Sequence, residues 1–381
     1  MVDRPWPRRV AIVHYWLVGM RGGERVLEEL LRIYPDAEIF THVADRDRLS
    51  PLIAERPITE TFIGRLPMAK KHYQKYLALM PRALEELDLT GFDLVISSES
   101  GPAKGVIVPP GALHVCYTHT PMRYIWDQYP LYRARLGRLG RAYFAHVAHK
   151  LRIWDVSTAQ RVDAFIANSS FVAARIEKYY RRRATVVNPP VDLERYQLPT
   201  EPPERDHYLF VSELVPYKRV DLVIEAFRGL PQTLRIVGQG PEYVRLSQNL
   251  PANVELLGHV SAEALAGHYQ TAKALVFPAE EDFGIVPLEA MASGTPVIAY
   301  GRGGIRDSVL DGKTGVFFDA QTPDAIRAAL DRFEQSGVAF SDPEIAKHAQ
   351  GFSAEVFRER MAKAIDEAHR EMTSNAAGNV S

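Results

Sequence analysis

Two glutamates that flank a glycine-containing loop form the most distinctive chemical pattern of this 381-residue chain. Glu281 and Glu289 are separated by seven residues, and Phe283, Gly284 and Ile285 lie between them, where a short apolar strand gives way to a helix. A glycine at such a turn allows backbone N–H groups to point at an anion, helped by the positive end of the helix dipole. The carboxylates could hold sugar hydroxyls. The pattern predicts a site for a phosphate-bearing sugar, and its ordinary alternative is two solvated glutamates at the start of a helix.

The stretch from residue 281 to residue 299, EDFGIVPLEAMASGTPVIA, resembles the E-x7-E signature of the retaining GT-B glycosyltransferases. This family includes bacterial mannosyltransferases, and the flanking residues match it as well as the two acids do. The resemblance implies that Glu281 lies near the transferred sugar ring. It also implies that Glu289 holds the ribose hydroxyls of the donor, and that Phe283, Gly284 and Ile285 contact the same donor.

Length and composition limit the remaining interpretations. A chain of this length exceeds one ordinary core, so two domains are expected. A formal net charge of −1 argues against wholesale nucleic-acid binding. The single cysteine, Cys116, excludes an intramolecular disulfide and fits a reducing compartment. No run approaches the ~20 apolar residues of a membrane-spanning helix, and the N-terminus lacks a signal-peptide pattern, so we expect a cytoplasmic protein.

The N-terminal half opens as a Rossmann-like unit. A compact apolar strand over residues 8–16 is followed by a turn containing Gly22 and Gly23, and then by an amphipathic helix. The turn lacks G-x-G-x-x-G, which counts against a dinucleotide-binding oxidoreductase. The resemblance places Gly22 and Gly23 in the loop that approaches the donor phosphate.

A second candidate site follows a buried strand over residues 112–119. His119 ends that strand, and open α/β sheets bind ligands at the carboxyl ends of their strands. By resemblance, His119 is the histidine placed beside the transferred sugar. Arg123, Tyr124 and Trp126, which follow it in the chain, are predicted to bind the acceptor. Tyr124 and Trp126 could stack on an acceptor sugar or close a hydrophobic lid.

Two basic segments interleave cations with aromatic and aliphatic residues. The first, residues 64–87, is predicted to be a basic helix that carries Arg65, Lys70, Lys71, Lys75 and Arg82. The second covers residues 131–160. Such composition suits a lipid headgroup interface. An ordinary exposed helix with one buried stripe is the alternative.

The second half restarts the strand–helix alternation after a linker marked by Pro189, Pro190 and the polar run LPTEPPERD. We therefore predict an N-terminal acceptor-binding domain over residues 1–190, joined by a C-terminal helix from about 353 to 372, and a nucleotide-sugar-binding domain over 205–350. The resemblance assigns further donor contacts in this half. Lys218, with Arg219 beside it, would neutralise the diphosphate; Gly238 would admit the nucleotide; His259 and Val260 would border the base.

The fold class that follows is α/β of the GT-B type, with two Rossmann-like domains facing a central cleft and a C-terminal helix that crosses back to the first domain. The expected reaction moves mannose from GDP-mannose to a polyprenyl-diphosphate-linked oligosaccharide in bacterial polysaccharide synthesis, at the anionic inner face of the cell membrane. No D-x-D is placed to hold a divalent metal, so neither a metal nor another cofactor is expected. Alternatives are a glucosyltransferase that uses UDP- or ADP-glucose, and a non-catalytic nucleotide-sugar sensor.

One position departs from the family pattern. Many relatives carry an arginine after the first strand of the C-terminal domain, whereas this chain has Glu213 there. A carboxylate within a few ångströms of a diphosphate would cost on the order of 1–4 kcal/mol. We expect Arg219 to supply the missing positive charge, or Glu213 to be tolerated at the edge of the site.

Overall fold

The computed structural model describes residues 6–335 and 342–378, with side chains described as far as residue 374. By packing, the chain divides into unit 1, Met1–Pro189 with Phe357–Ser381, and unit 2, Pro190–Val356. Within the described ranges, no helix is both long enough and apolar enough to cross a lipid bilayer.

Unit 1 is built on a seven-stranded sheet in which every neighbouring pair is parallel. The strands are β1 Val10–His14, β2 Glu38–Thr41, β3 Ile58–Glu60, β4 Leu94–Glu99, β5 Leu113–Thr118, β6 Ala164–Ala167 and β7 Ala184–Val186, in the order β3-β2-β1-β4-β5-β6-β7. Successive residues of a strand point to opposite faces. Accordingly Val10 and Ile12 enter one core, and Ala11 and Val13 enter another.

Helices cover both faces of this sheet, as parallel sheets require. They are α1 Gly22–Ile33, α2 Pro51–Ala54, α3 Ala69–His72, α4 Met80–Glu85, α5 Tyr129–Ala134, α6 Arg138–Thr158 and α7 Ser170–Tyr180. The core that contains Val10 and Ile12 also receives Val26 and Leu27 of α1.

The basic segment of residues 64–87 is not the single helix that its composition predicted. It consists of the 3-10 turns Phe62–Arg65 and Tyr73–Leu79 alternating with α3 and α4. Met68 adopts a left-handed backbone with φ of 52° directly after Pro67, and Pro81 opens α4. The prolines and the left-handed residue interrupt the helical hydrogen bonds, so the prediction of one continuous helix was wrong.

Unit 2 repeats the plan with a six-stranded parallel sheet. Its strands are β8 His207–Val211, β9 Thr233–Val237, β10 Val254–Gly258, β11 Ala272–Phe277, β12 Val297–Tyr300 and β13 Gly315–Phe318, in the order β10-β9-β8-β11-β12-β13. Its helices are α8 Val220–Phe227, α9 Tyr243–Ser247, α10 Ala262–Thr271, α11 Val286–Ala292, α12 Ile305–Ser308, α13 Pro323–Gln335 and α14 Asp342–Gln350. Both faces of the sheet are again buried, with Leu209 in one core and Tyr208 and Phe210 in the other.

The chain ends with α15, Ala354–Gly378, most of which belongs to unit 1. Phe357, Met361 and Ile365 lie one helical turn apart and enter the same core as Val10 and Ile12. The C-terminal helix therefore completes the unit that the N-terminus begins.

Candidate functional site

In unit 2, most of the predicted donor-binding residues follow the carboxyl ends of neighbouring parallel strands, where open α/β sheets bind ligands. These residues are Lys218 and Arg219 after β8, Gly238 after β9, His259 and Val260 after β10, and Glu281, Phe283, Gly284 and Ile285 after β11. Four separate loops of one sheet edge therefore carry them.

The loops after β8 and β9 are in direct contact. The N–H of Leu214 donates to the carbonyl of Gln239 over 2.8 Å. A Cβ added at Gly238 would lie 1.8 Å from the carbonyl oxygen of Ser212, and Gly238 has a φ of +147°. Any side chain at Gly238 would push the two loops apart. The structure thus shows a packing reason for this glycine, and its contact with a donor remains a prediction.

Lys218 and Glu281 meet as an ion pair although they lie 63 positions apart in sequence. Their side chains are only 16% and 22% exposed, so the pair is screened by solvent less than a surface pair would be. A lysine ammonium can neutralise a phosphate, and a carboxylate can accept hydrogen bonds from sugar hydroxyls. The pair therefore offers both types of group at one point.

A glycine pair that the sequence interpretation missed supports the Glu281 loop from the next strand. Gly303 and Gly304 follow β12, and the N–H of Gly304 donates to the carbonyl of Glu281 over 2.8 Å. A Cβ at Gly304 would lie 2.1 Å from the carbonyl oxygen of Asp282. Only glycine permits this close approach. A glycine pair after an apolar strand was the sequence signal that could have indicated this contact with the Glu281 loop.

The turn between β11 and α11 leaves donor groups unused. In the part of the chain that the structure describes, no hydrogen bond is formed by the backbone N–H groups of Phe283, Gly284 or Ile285. The Phe283 side chain is buried and packs near the Phe352 ring, with centroids 6.0 Å apart. Packing fixes the loop in place while its N–H groups stay available for an anion or a hydroxyl oxygen.

Glu289 lies in α11 and accepts a hydrogen bond from the hydroxyl of Tyr269 over 2.9 Å. Burial raises the pKa of Glu289 to about 7, and the bond from Tyr269 opposes that rise. Near neutral pH both the protonated and the ionised forms of this carboxyl are therefore populated, and the ionised form can accept hydrogen bonds from hydroxyl groups.

The remaining predicted donor contacts differ in exposure. Arg219 has a left-handed backbone, with φ of 57°, and its side chain pairs with Asp221 at 3.5 Å. Glu213 is exposed and forms no ion pair within the described residues. His259 is exposed, and Val260 is partly buried against the core of unit 2. The idea that Arg219 compensates for Glu213 stays a prediction.

In unit 1, His119 directly follows β5 and joins a buried polar chain. Its Nε2 lies 2.9 Å from the Oγ of Ser98, and the same Oγ lies 3.0 Å from Nδ1 of His14. Burial, reinforced by the nearby His14, lowers the pKa of His119 to about 3. Gly22 and Gly23 are the first two residues of α1, and Glu24 follows them.

The three predicted acceptor residues occupy the segment after His119. Arg123 pairs with Asp127 at 3.0 Å. The indole N–H of Trp126 donates to Asp155 over 2.7 Å, and its ring stacks on Tyr179 with centroids 4.6 Å apart. Tyr124 and Trp126 both pack against the apolar cluster beneath α6. Trp126 thus has an internal packing role, and both its contact with an acceptor and the lid alternative remain predictions.

A buried ionic cluster anchors this region, and the sequence interpretation did not identify it. Lys104 is fully buried, donates to Glu99 over 2.8 Å and pairs with Asp155. The carbonyl of Glu99 accepts the backbone N–H of His119 over 2.8 Å. Buried charges require such partners, and here the pairing fixes the strand end from which the His119 loop departs.

No group of three or more His, Cys, Asp or Glu side chains is arranged to hold a metal ion anywhere in residues 6–335 or 342–378.

Two family models match the chain. Residues 20–195 match Glycosyltransferase Family 4, and residues 197–349 match Glycosyl transferases group 1. Each model matches most of one unit and less than half of the whole chain, so each unit is similar to a family of glycosyltransferases. The fold is that of GT-B glycosyltransferase structures. The prediction of two Rossmann-like α/β domains is confirmed.

Among curated proteins, the chain is 31% identical over 258 residues to D-inositol 3-phosphate glycosyltransferase from Geodermatophilus obscurus, covering 58% of this chain and 56% of the relative. It is 37% identical over 156 residues to GDP-mannose-dependent alpha-(1-6)-phosphatidylinositol monomannoside mannosyltransferase from Mycolicibacterium smegmatis, covering 36% and 40%. The chain therefore spans about half the length of the curated relatives it matches.

Among solved structures, Anabaena HepE in complex with UDP superposes with a TM-score of 0.66 at 17% identity. The match covers 94% of this chain and 100% of that structure. At this identity the likeness establishes the fold.

Proposed function

We propose that the protein is a retaining hexosyltransferase that moves mannose from GDP-mannose to a polyprenyl-diphosphate-linked oligosaccharide. The ion pair between Lys218 and Glu281, beside three unused N–H groups at one sheet edge, carries the proposal. It offers a cation to a departing diphosphate and a carboxylate to the hydroxyls of the sugar. A nucleotide sugar needs both kinds of group at neighbouring points.

The charge on the diphosphate can be met by Lys218 and the backbone N–H groups, so the proposed reaction requires no metal. Preorganised donors of this kind stabilise charge that develops on a leaving group. Glu289, in the helix α11 that follows this turn, would bind the ribose hydroxyls.

Retention fits attack on the face from which the nucleotide leaves. The bond between the anomeric carbon and the phosphate oxygen breaks, and the acceptor oxygen bonds to the same carbon on that face. The leaving phosphate then accepts the proton of the acceptor hydroxyl. A double displacement would instead require a carboxylate nucleophile beneath the anomeric carbon.

The choice of GDP-mannose is supported by the mannosyltransferase from Mycolicibacterium smegmatis, whose name describes it as GDP-mannose-dependent. A UDP- or ADP-glucose-dependent enzyme is the second candidate, and the UDP bound to HepE supports the UDP form of this candidate. A nucleotide-sugar sensor that lacks turnover is the third.

A lipid-linked acceptor is supported by two exposed surfaces of unit 1. From residue 65 to 82, and again from 128 to 154, the chain contains Lys and Arg but no Asp or Glu. In both segments apolar side chains are exposed beside the cations, including Met68 at 62% and Leu139 at 89%. Cations with exposed apolar groups suit the anionic inner face of a membrane.

Calorimetry with GDP, UDP and ADP tests the donor. We expect GDP to bind most tightly, and we expect Lys218→Met to weaken GDP binding roughly tenfold to a hundredfold, because a charge-assisted contact is lost. The matched control is Lys273→Met, which removes a lysine paired with Glu334 at 3.5 Å elsewhere in unit 2.

Arg219→Ala belongs in the same series, since a loss of GDP affinity there would support compensation for Glu213. Tighter binding of UDP or ADP would overturn the GDP assignment. Equal GDP affinity in Lys218→Met and Lys273→Met would remove the ion pair from the diphosphate site. Binding of GDP-mannose without slow hydrolysis, and without transfer to lipid-linked acceptors, would identify a sensor.

A further inference from the structure

Three neighbouring strands of unit 1 place polar side chains on one face of the sheet. His14 ends β1, Ser98 lies near the end of β4, and His119 directly follows β5. His14 and Ser98 are direct partners in the parallel register. All three belong to the face that α1 covers, because Ile12, Ile96 and Tyr117, two positions earlier in each strand, enter the core that α1 shares.

Ser98 is the centre of this chain of contacts. Its hydroxyl is fully buried and lies within hydrogen-bond distance of both Nδ1 of His14 and Nε2 of His119. A serine hydroxyl has one proton to donate. Ser98 can therefore donate to one ring only, and the other ring must donate its own N–H to the Ser98 oxygen.

Glu24 decides which of the two histidine rings donates to Ser98 and which accepts from it. Its Oε1 lies 3.8 Å from Nε2 of His14, and both side chains are buried. A carboxylate at this distance favours a proton on Nε2 of His14, which has no hydrogen-bond partner of its own in the described chain.

The position of the His14 proton fixes the remaining hydrogen bonds, first at Ser98 and then at His119. A His14 ring that carries its single proton on Nε2 presents a bare Nδ1, and the Ser98 hydroxyl donates to it. The Ser98 oxygen then accepts from Nε2–H of His119. A neutral imidazole carries one proton, so Nδ1 of His119 is left as a bare acceptor.

We infer that Glu24 holds the single proton of His14 on Nε2, and that Glu24, His14 and Ser98 are thereby positioning residues that hold His119 as the Nε2–H tautomer, so that its Nδ1 accepts a hydrogen bond from a hydroxyl of the bound hexose. The inference rests on the proposed function for the identity of the hexose. No hydrogen bond to Nδ1 of His119 is formed within the described residues. The ring is held edge-on by Tyr117 and Tyr15, with centroids 5.1 and 6.2 Å away.

The opposite face of the sheet offers a matched control. Ser97 precedes Ser98 on β4, and its Oγ lies 2.9 Å from Nε2 of His114 on β5. This pair is also fully buried, and Nδ1 of His114 lies 3.1 Å from the carbonyl of Arg161. Ser97→Ala and Ser98→Ala therefore each delete a serine–histidine bond of β4, on opposite faces of the sheet, and only Ser98→Ala also removes a contact with His14.

The test measures the tautomer of His119 by long-range 1H–15N correlation on protein labelled with 15N-histidine, with His119→Gln used to assign the signals. We expect Nε2–H in the wild type. We expect Ser98→Ala, and independently Glu24→Gln, to convert His119 to a mixture of tautomers, whereas Ser97→Ala should change only the signals of His114.

We also expect turnover of the sugar nucleotide to fall about tenfold in Ser98→Ala, with nucleotide affinity unchanged, because a hydrogen bond to the reacting sugar contributes about this much. A wild-type Nδ1–H tautomer, or a His119 signal indifferent to both Ser98→Ala and Glu24→Gln, would overturn the inference. The tautomer is read without substrate. Absence of turnover with every donor would therefore contradict the proposed function without contradicting the role of Glu24, His14 and Ser98 as positioning residues.

Discussion

At the scale of single residues, Glu289 is distinctive because its carboxyl has little access to solvent, so its ionisation costs free energy. Its hydrogen bond from Tyr269 stabilises the charge only in part, and burial raises its pKa from 4.5 to about 7. The folded state therefore holds a proton on Glu289 over a pH range in which the unfolded chain has released it.

This difference makes stability depend on pH in a defined direction. Between pH 4.5 and about 7 the folded state binds more protons than the unfolded state, so stability falls as pH rises through this window and stays lowered above it. Glu289→Gln keeps the acceptor oxygen for Tyr269 and removes the charge. Relative to the wild type, we expect the variant to gain about 1–3 kcal/mol between pH 5 and pH 8.

Urea unfolding of unit 2 at the two pH values measures this change. The exposed Glu201 provides the control, since Glu201→Gln should shift by less than about 0.5 kcal/mol. A gain at pH 5 that equals the gain at pH 8 would show that burial of the charge is not the cause.

At the scale of elements, the broken segment between Phe62 and Glu85 exposes its basic side chains to solvent. Most of its buried side chains, Ile63, Ala69, Met80 and Ala83, form a small core together with Val43 from outside the segment. The cations predicted from sequence point outward. Lys70 pairs loosely with Asp45 at 3.2 Å, and Arg82 pairs with Glu86 at 2.6 Å. Short turns thus expose the basic residues as effectively as one helix would.

Membrane association is tested at this scale. We expect the triple variant Lys70→Gln, Lys71→Gln and Lys75→Gln to lose about 3 kcal/mol of binding to anionic vesicles, at about 1 kcal/mol for each cation near the surface. Binding of the wild type should weaken as salt is added. Vesicle sedimentation measures both effects.

Three exposed lysines elsewhere, Lys178, Lys313 and Lys347, supply the control for total charge. Their triple replacement by glutamine should change vesicle binding far less. If both triple variants lose the same affinity, net charge rather than this surface governs association.

At the scale of the whole chain, the two ends of the sequence share one core. Met361 in α15 is fully buried beside strands from the beginning of unit 1. We expect Met361→Ala to lower the unfolding free energy of unit 1 by about 2–4 kcal/mol, since a buried side chain is removed and a cavity is left. Calorimetry that resolves the two units measures the loss.

Glu359→Ala, on the exposed side of the same helix, is the control and should change stability by about 0.5 kcal/mol or less. A Met361→Ala variant in which only the transition of unit 2 moved would contradict the assignment of α15 to unit 1.

Local patterns carried much of the sequence interpretation. Apolar runs and glycine turns predicted the strands around β1, β5 and β11 and the alternation of strand and helix. They did so because side-chain periodicity and turn chemistry depend on neighbours in the chain. The same local logic failed between residues 64 and 87, where composition indicated a helix and the prolines prevented it.

By itself, then, the sequence determined the α/β class, the repeated architecture and the family resemblance, because each depends on residues close together in the chain. Only the tertiary structure decided that Lys218 meets Glu281, that Gly304 supports the Glu281 loop, and that His14 and Ser98 reach His119. Those contacts arise from the order of strands in each sheet. Strand order brings residues from distant parts of the chain to one edge, and no local pattern of residues encodes it.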